Sequence, residues 1–361
     1  MNVCIADAED KKRWDSFVDS NYGSFFHYFN WKEIFEINGW DFIPLMIENE
    51  KSEILAILPL WIINKNFCNT IKSLPEGSSG GIVYKKELPE EKKKEILHSF
   101  IHFIDETYSK TCGRFILKEN LMTPDIISAD PSTILIEHGF HSQFNNTTTV
   151  PCTFIFKLKQ PFETAIWQET WDRKIRQNIK RAQREGVKVK EDIHFEYQDV
   201  FLEMMHDLYI KLGSTPRSDE EIIKRLTTFD KKTRLFVAFL DEKPISALLC
   251  YYTPSTVYFS KMPHTEIARK YQANLLLFYE AIKDACQKGY ASVEFGVTFH
   301  EDQARWKGHF KGTRLPIRQY QKTYSKCRCS LDKILEAVSQ SFHNRSYRGS
   351  NKKHHTKKYS K

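Results

Sequence analysis

The chain has 361 residues, 41% of them hydrophobic and 14% aromatic, which is long for one domain and ample for two cores. Its 54 Lys and Arg against 46 Asp and Glu give a net charge of +8, much of it in the closing stretch NRSYRGSNKKHHTKKYSK, residues 344–361, so the remainder lies nearer neutrality. Eight scattered cysteines form no C-x-x-C pair, no signal-peptide pattern opens the chain, and the longest apolar run, ILAILPLWII, is about half a membrane span, so a soluble cytoplasmic protein with reduced thiols is expected.

In chain order, FIPLMIENEKSEILAILPLWI (42–62) reads as strand, charged turn and strand, followed by the Gly-rich link PEGSSGGIVY (75–84). A helix is predicted from about Glu90 to Tyr108, stopped by Cys112 and Gly113, and RFILKE returns as a strand. Later, RLFVAFLDEKPISALLCYY (234–252) repeats the hairpin, with Glu242 and Lys243 where Glu50 and Lys51 fell. The strand TVYFSK, a helix from about Tyr271 to Lys288, a stop at Gly289 and the strand ASVEFG follow. The same order of elements thus occurs twice, about 190 residues apart, which argues for internal duplication of an α/β unit. Between the copies, Trp167, Trp171, Ile175, Ile179 and Ala182 recur every three or four residues and predict one helix ending near Gly186. Its opposite face carries Arg173, Arg176, Lys180 and Arg184, either a solvated face or a surface for phosphate or RNA. The final tail has no apolar pattern and is expected to be disordered.

The sequence has no G-x-x-x-x-G-K-[ST], no G-x-G-x-x-G after a strand, no H-E-x-x-H and no G-x-S-x-G, which sets aside most nucleotide hydrolases, dinucleotide enzymes, zincins and α/β-hydrolases. His98 and His102 are one helical turn apart without an evident third ligand, and Cys327 and Cys329 are too close for zinc spacing, so no metal site is expected. The informative loop is VTFHEDQARWKGHFKGT (297–313), which follows a strand end and carries His300, Glu301, Asp302, Arg305, Lys307 and Lys311. Loops beyond the carboxyl ends of strands line ligand crevices in α/β sheets, and a lysine there can hold a developing oxyanion. Lys311, between Phe310 and Gly312, has the setting for a packed stem with its ammonium in the crevice; the alternative is that all six are loop charges facing water.

WDRKIRQNIKRAQREGVKV, LYIKLGSTP, YQANLLLFYEAIKDACQKGYASVEFG and RWKGHFKG resemble, in order and spacing, the Fem-type peptidyltransferases, a branch of the GNAT superfamily built from two tandem GNAT-like units. FFHYFNWKEIFEINGWDFIPLMIENEKSEILAILPLWI and IKSLPEGSSGGIVY look like the N-terminal unit of that family, and the likeness covers roughly residues 10–325. It implies an α/β fold of mixed sheets with units at residues 1–158 and 159–330 and a disordered basic tail at 340–361. It also implies transfer of an acyl or aminoacyl group to an amine of a cell-envelope or polysaccharide precursor, held between the units. No cofactor would be permanently bound; the donor would be aminoacyl-tRNA or acyl-CoA, and the protein would sit peripheral to the inner membrane. Residue by residue, Phe310 and Lys311 match the family's Phe-Lys, with Lys311 the catalytic residue that stabilises charge. Arg217, in the segment with Gly213, Thr215 and Pro216, would contact a phosphate of the acceptor, and Glu294 matches an acidic turn position. Trp31 matches the tryptophan of the first unit, and Arg176 and Lys180 would hold a phosphorylated donor or acceptor.

Three departures accompany the likeness. Phe35 stands where members that bind nucleotide-linked precursors carry a lysine, and 200–230 leave no room for a tRNA-binding helical hairpin. The acetyltransferase phosphate loop would fall at Arg269, Gln272 and Asn274, in RKYQAN, without its glycines. Two other readings remain open at this point: an acyl-CoA-dependent N-acetyltransferase and a non-catalytic RNA-binding module using the basic helix and tail.

Overall fold

The computed structural model describes residues 2–64, 67–74, 77, 79–122, 131–142, 151–332 and 334; the expected tail at 340–361 lies outside the described residues. The first half contains β1 (Val3–Ile5), α1 (Lys11–Ser20), α2 (Trp31–Phe35), β2 (Asp41–Glu48), β3 (Ile54–Ile63), β4 (Thr70–Ser73), β5 (Val83–Tyr84), α3 (Glu90–Tyr108), β6 (Arg114–Lys118), α4 (Pro131–Glu137) and β7 (His141–Ser142). Next come β8 (Cys152–Lys157), a π-helical turn at Phe162–Gln168, α5 (Arg173–Arg184), β9 (Lys188–Asp192), α6 (Gln198–Lys211), α7 (Asp219–Thr227), β10 (Thr233–Leu240), β11 (Lys243–Tyr252) and β12 (Thr256–Lys261). The chain ends its described part with α8 (Glu266–Lys270), α9 (Ala273–Gln287), β13 (Ser292–Glu294), α10 (Glu301–Gly308), β14 (Thr313–Pro316) and β15 (Gln319–Thr323).

Both repeated hairpins form as the sequence predicts. The first is held by Asn49, whose side-chain oxygen accepts the backbone N–H groups of Lys51 and Glu53, each at 2.9 Å. The second turns on Asp241 and Glu242, both at positive φ, the conformation that matches the twist of a two-residue hairpin. Almost all of β3 and β11 is buried, which is why both read as continuous apolar runs without alternation. The helix expected through Trp167 and Trp171 to Gly186 is instead two pieces. The π-helical turn ends at Gln168, Asp172 takes an extended conformation, and α5 begins afresh at Arg173.

The sheets confirm the duplication and add an exchange. The first runs β1-β2-β3-β4-β6-β15-β7, with β5 on β3; the second runs β9-β10-β11-β12-β13-β8-β14. Position for position the two match, including a parallel pair at β4–β6 and at β12–β13. Yet β8, which the 1–158 division assigns to the first unit, sits inside the second sheet, and β15, from the second half, sits inside the first. One apolar core packs the outer face of each sheet, around α3 and around α5 and α9, and a third fills the space between the sheets. There Phe25 stacks on Tyr251 with centroids 4.3 Å apart and planes at 5°, while Trp31, Phe229 and Tyr258 surround them. Where these aromatics meet, the units are joined by packed rings rather than by an open crevice.

Candidate active site

A large opening lies within the second unit, where its parallel strand pair comes apart. Tyr258 and Glu294 are the last paired residues of β12 and β13. Beyond them Gly296 takes φ +71, and a Cβ there would lie 2.5 Å from the carbonyl oxygen of Phe259, so only glycine lets the strands diverge so closely. On its other side, β12 shifts register against β11: Cys250 faces Phe259 and Leu249 faces Lys261, leaving Ser260 as an extra residue. The loop after Gly296 leads into α10, which turns back under the gap.

The result is a cavity of about 730 Å³. Its inner wall is apolar, formed by Leu248, Phe259, Leu275, Phe278, Phe295 and Trp306, with Met205 and Leu208 of α6 opposite. Polar groups collect at two places. At the strand gap, the Lys307 ammonium donates to the carbonyls of Gly296 at 2.8 Å and Val297 at 3.4 Å. Burial pushes the Lys307 pKa down to about 8, against the opposing pull of Glu294 and Cys152. Thus Lys307 is a cation at neutral pH whose charge is poorly solvated and available to a partner. At the start of α9, Gln272 adopts the left-handed conformation, φ 57, and its amide donates to the Arg269 carbonyl at 3.2 Å. Arg269 in turn donates to His264 at 3.1 Å, and the hydroxyl of Ser246 fixes Asn274 at 2.7 Å. Burial, then the charges of Arg269 and Lys211, hold the His264 pKa below its ordinary value and so keep the ring an acceptor. The positive end of the fifteen-residue α9 adds to this polar corner.

The structure distributes the sequence-derived candidates unevenly. Arg269, Gln272 and Asn274 do come together on the cavity wall. Lys311 is not among the lining residues: it lies past the end of α10 at φ 64, is exposed, and pairs with Asp172 at 3.0 Å. Phe310 is fully buried between Trp171, Phe278, Phe295 and Trp306, so its role is to seat α10. Glu294 is also fully buried and accepts from the Thr153 hydroxyl on β8. Trp31 is 1% exposed, donates to the Phe25 carbonyl at 3.0 Å and stacks on Phe26 and Phe35, so it belongs to the core between the sheets. Arg217 faces the same region, 3.3 Å from Glu221 and 6.0 Å from the Trp40 ring. Arg176 donates to the carbonyls of Trp167 and Gln168, closing the π-helical turn, while Lys180 is exposed.

Sequence reasoning did not single out Ser260 or Gly296, and it left Lys307 among the loop charges. The signal for the last was present: RWKGHFKG holds two aromatic–lysine dipeptides one helical turn apart, Trp306–Lys307 and Phe310–Lys311. Both aromatics pack, but only the first lysine is still on the helix and beneath the strand gap.

Residues 172–308, from the N-cap of α5 to the end of α10, match the model of the acetyltransferase (GNAT) domain, and this span contains the whole cavity. The chain therefore carries a GNAT acyltransferase domain, within a tandem arrangement of two such folds. That arrangement is similar to the folds of FemX and other tandem GNAT structures. The crystal structure of FemX superposes with a TM-score of 0.68 at 14% identity, covering 94% of this chain and 100% of that one. L-PGS from Bacillus licheniformis gives 0.56 at 11% identity over 88% of this chain and 92% of that one. A tandem GNAT protein from the clavulanic acid biosynthesis pathway gives 0.54 at 8% identity over 90% and 98%. At such identities the likeness is one of fold. No curated protein sequence matches the chain.

Proposed function

We propose that the second unit transfers an acyl or aminoacyl group to the amine of a cell-envelope or polysaccharide precursor, with Lys307 as the residue that stabilises the transition state. The observation that carries this reading is the partly desolvated Lys307 ammonium at the strand gap, inside a GNAT domain cavity. A neutral amine attacks the donor carbonyl carbon, and the carbonyl oxygen becomes an oxyanion. The ammonium stabilises it more strongly than water does, because the cation is poorly solvated and already in place. The tetrahedral intermediate then collapses, the donor's thiolate or ribose oxygen leaves with the electron pair, and the proton shed by the amine passes to that leaving group. The bulge at Ser260 offers a second polar group on the same wall.

Between donors, acyl-CoA is favoured by the polar corner of Arg269, Gln272 and Asn274 at the positive end of α9, which suits a pyrophosphate. Aminoacyl-tRNA is the second reading, supported by the FemX-like fold. The envelope acceptor rests on the same likeness. Among the described residues no helix is long and apolar enough to cross a membrane, and the reading keeps the cytoplasmic setting, peripheral to the inner membrane, expected from sequence. The test is a melting screen with acetyl-CoA, longer acyl-CoAs and charged tRNA, followed by transfer assays to amine acceptors with the donor that raises Tm. Wild-type transfer that survives unchanged in Lys307→Met overturns the assignment of Lys307. If no donor stabilises the protein or is consumed, the transferase reading itself fails.

A further inference from the structure

Far from the cavity, where the end of the described chain returns to the first sheet, two thiols meet. Cys68, two residues before β4, is wholly buried, and Cys329, in the helical segment 326–332 after β15, is 8% exposed. Their sulfur atoms are 2.8 Å apart although 261 positions separate them in sequence. Gly113 makes the approach possible: a Cβ at that position would lie 2.3 Å from the Cys68 sulfur and 3.2 Å from that of Cys329. The surrounding contacts hold the segment in place. The Gly113 carbonyl accepts the N–H groups of Tyr324 and Ser325, the N–H of Phe67 donates to Asp332 at 3.1 Å, and Arg328 donates to the Lys110 carbonyl at 3.0 Å.

We propose that Cys68 and Cys329 are a disulfide-forming site, a covalent staple that fastens the segment following the exchanged strand β15 to the sheet that receives it. Closing the pair to S–S bond length needs a movement of less than about 1 Å, with the fold already supplying the approach. The oxidant is a small-molecule disulfide such as oxidised glutathione. The Cys329 sulfur, the less buried of the two, attacks it as thiolate and expels one glutathione thiolate. The Cys68 sulfur then attacks the mixed disulfide at Cys329 and expels the second. Two thiols are oxidised to one disulfide, one glutathione disulfide is reduced to two thiols, and the two protons released by the cysteines pass to the glutathiones. Burial and the neighbouring Cys329 raise the Cys68 pKa to about 12, so the thiolate is scarce and exchange waits on local opening of 326–332. A staple that forms slowly and persists is the consequence. Because it closes a very long loop, it restricts the unfolded chain strongly.

The test uses the full chain, reduced, then incubated with oxidised glutathione at mildly alkaline pH, alkylated and analysed by intact mass and non-reducing peptide mapping. The expected product has lost two hydrogens, contains a Cys68–Cys329 cross-linked peptide, and melts several degrees higher, a gain reversed by dithiothreitol. Cys327→Ser should leave this unchanged, whereas Cys68→Ser and Cys329→Ser should each abolish the cross-link and the oxidant-dependent gain in Tm. Persistent glutathione on Cys329, a cross-link from either cysteine to Cys112 or Cys327, or full recovery of both thiols after unfolding in the absence of reductant overturns the proposal. None of these readouts involves acyl transfer, so the outcome is independent of the proposed activity.

Discussion

The Lys307 ammonium donates to the Gly296 carbonyl across 2.8 Å, tying the last turn of α10 to the point where β13 leaves its parallel partner. The same hydrogen bond holds the cation at the mouth of the strand gap; with the Gly296 and Val297 carbonyls taking two of its three N–H donors, the third is left for a substrate oxygen. Lys307→Met should therefore lower kcat/KM roughly 100- to 1000-fold, the usual cost of losing an oxyanion donor, while circular dichroism remains native. Lys311→Met, which breaks only an exposed ion pair to Asp172, should retain nearly full activity. The comparison of the two variants in one transfer assay decides between the lysines.

The pH profile carries a sign. With a pKa of about 8, Lys307 is protonated below that value and loses its charge as pH rises through it. If the charged form is the active one, the rate falls on the alkaline side near pH 8, even as more acceptor amine becomes neutral. Lys307→Arg should keep part of the activity and move that limb to higher pH. A wild-type rate that climbs through pH 8 to a plateau would instead mark Lys307 as a base.

Gly296→Ala tests the geometry of the gap. The added Cβ meets the Phe259 carbonyl oxygen at 2.5 Å and the residue must hold φ +71, so the strands have to shift. A loss of about 1–3 kcal/mol in chemical denaturation, with a larger relative loss of transfer, is expected.

Between the units, the fully buried Glu221 accepts from Arg225 at 2.5 Å, from Arg217 at 3.3 Å and from Asn38 of the first unit at 3.0 Å. Arg225→Met would leave that carboxylate short of its main partner and should cost about 3–5 kcal/mol, measured by urea unfolding. The double variant Glu221→Gln, Arg225→Met should recover much of the loss. Equal destabilisation in single and double variants would show that the network matters through its packing on Trp31 and Phe35 rather than its charge.

His27 supplies the acid limit of stability. It is fully buried, bonded to Ser24 and near the Gly81 carbonyl, and burial lowers its pKa to about 4. Between pH 6.5 and 4 the unfolded chain binds the proton that the native ring refuses, so stability falls with falling pH by up to roughly 3 kcal/mol, and the contribution is constant above pH 6.5. His27→Gln should flatten this part of the stability–pH curve, whatever its effect at neutral pH.

The parts of the fold written in local chemistry were legible before the structure. The hairpins at Asn49 and Asp241, the helix from Glu90 to Tyr108 and the helix and strand on either side of Gly289 follow from apolar runs and turn residues. The exchange of β8 and β15 was not, because CTFIFK and QYQKT carry the same pattern in either sheet, and pairing partners far apart in sequence leave no local trace. In the site, Arg269, Gln272 and Asn274 were indicated by the family resemblance, as the place where an acetyltransferase phosphate loop would fall, and they do line the cavity. Lys311 was singled out by its match to the family's Phe-Lys; the structure places Lys307 on α10 at the strand gap and Lys311 past the end of that helix, a difference that the sequence spacing does not reveal.

The reciprocal strands have a consequence for biosynthesis. The edge of β6 cannot be covered, nor β7 anchored, until Gln319–Thr323 has left the ribosome, so the first sheet remains unfinished while nearly all the rest of the chain is made. An excised second half fares no better, since its β14 has β8 as sheet neighbour and would be left without one. Two copies of one unit by descent, the halves have become a single indivisible object in folding.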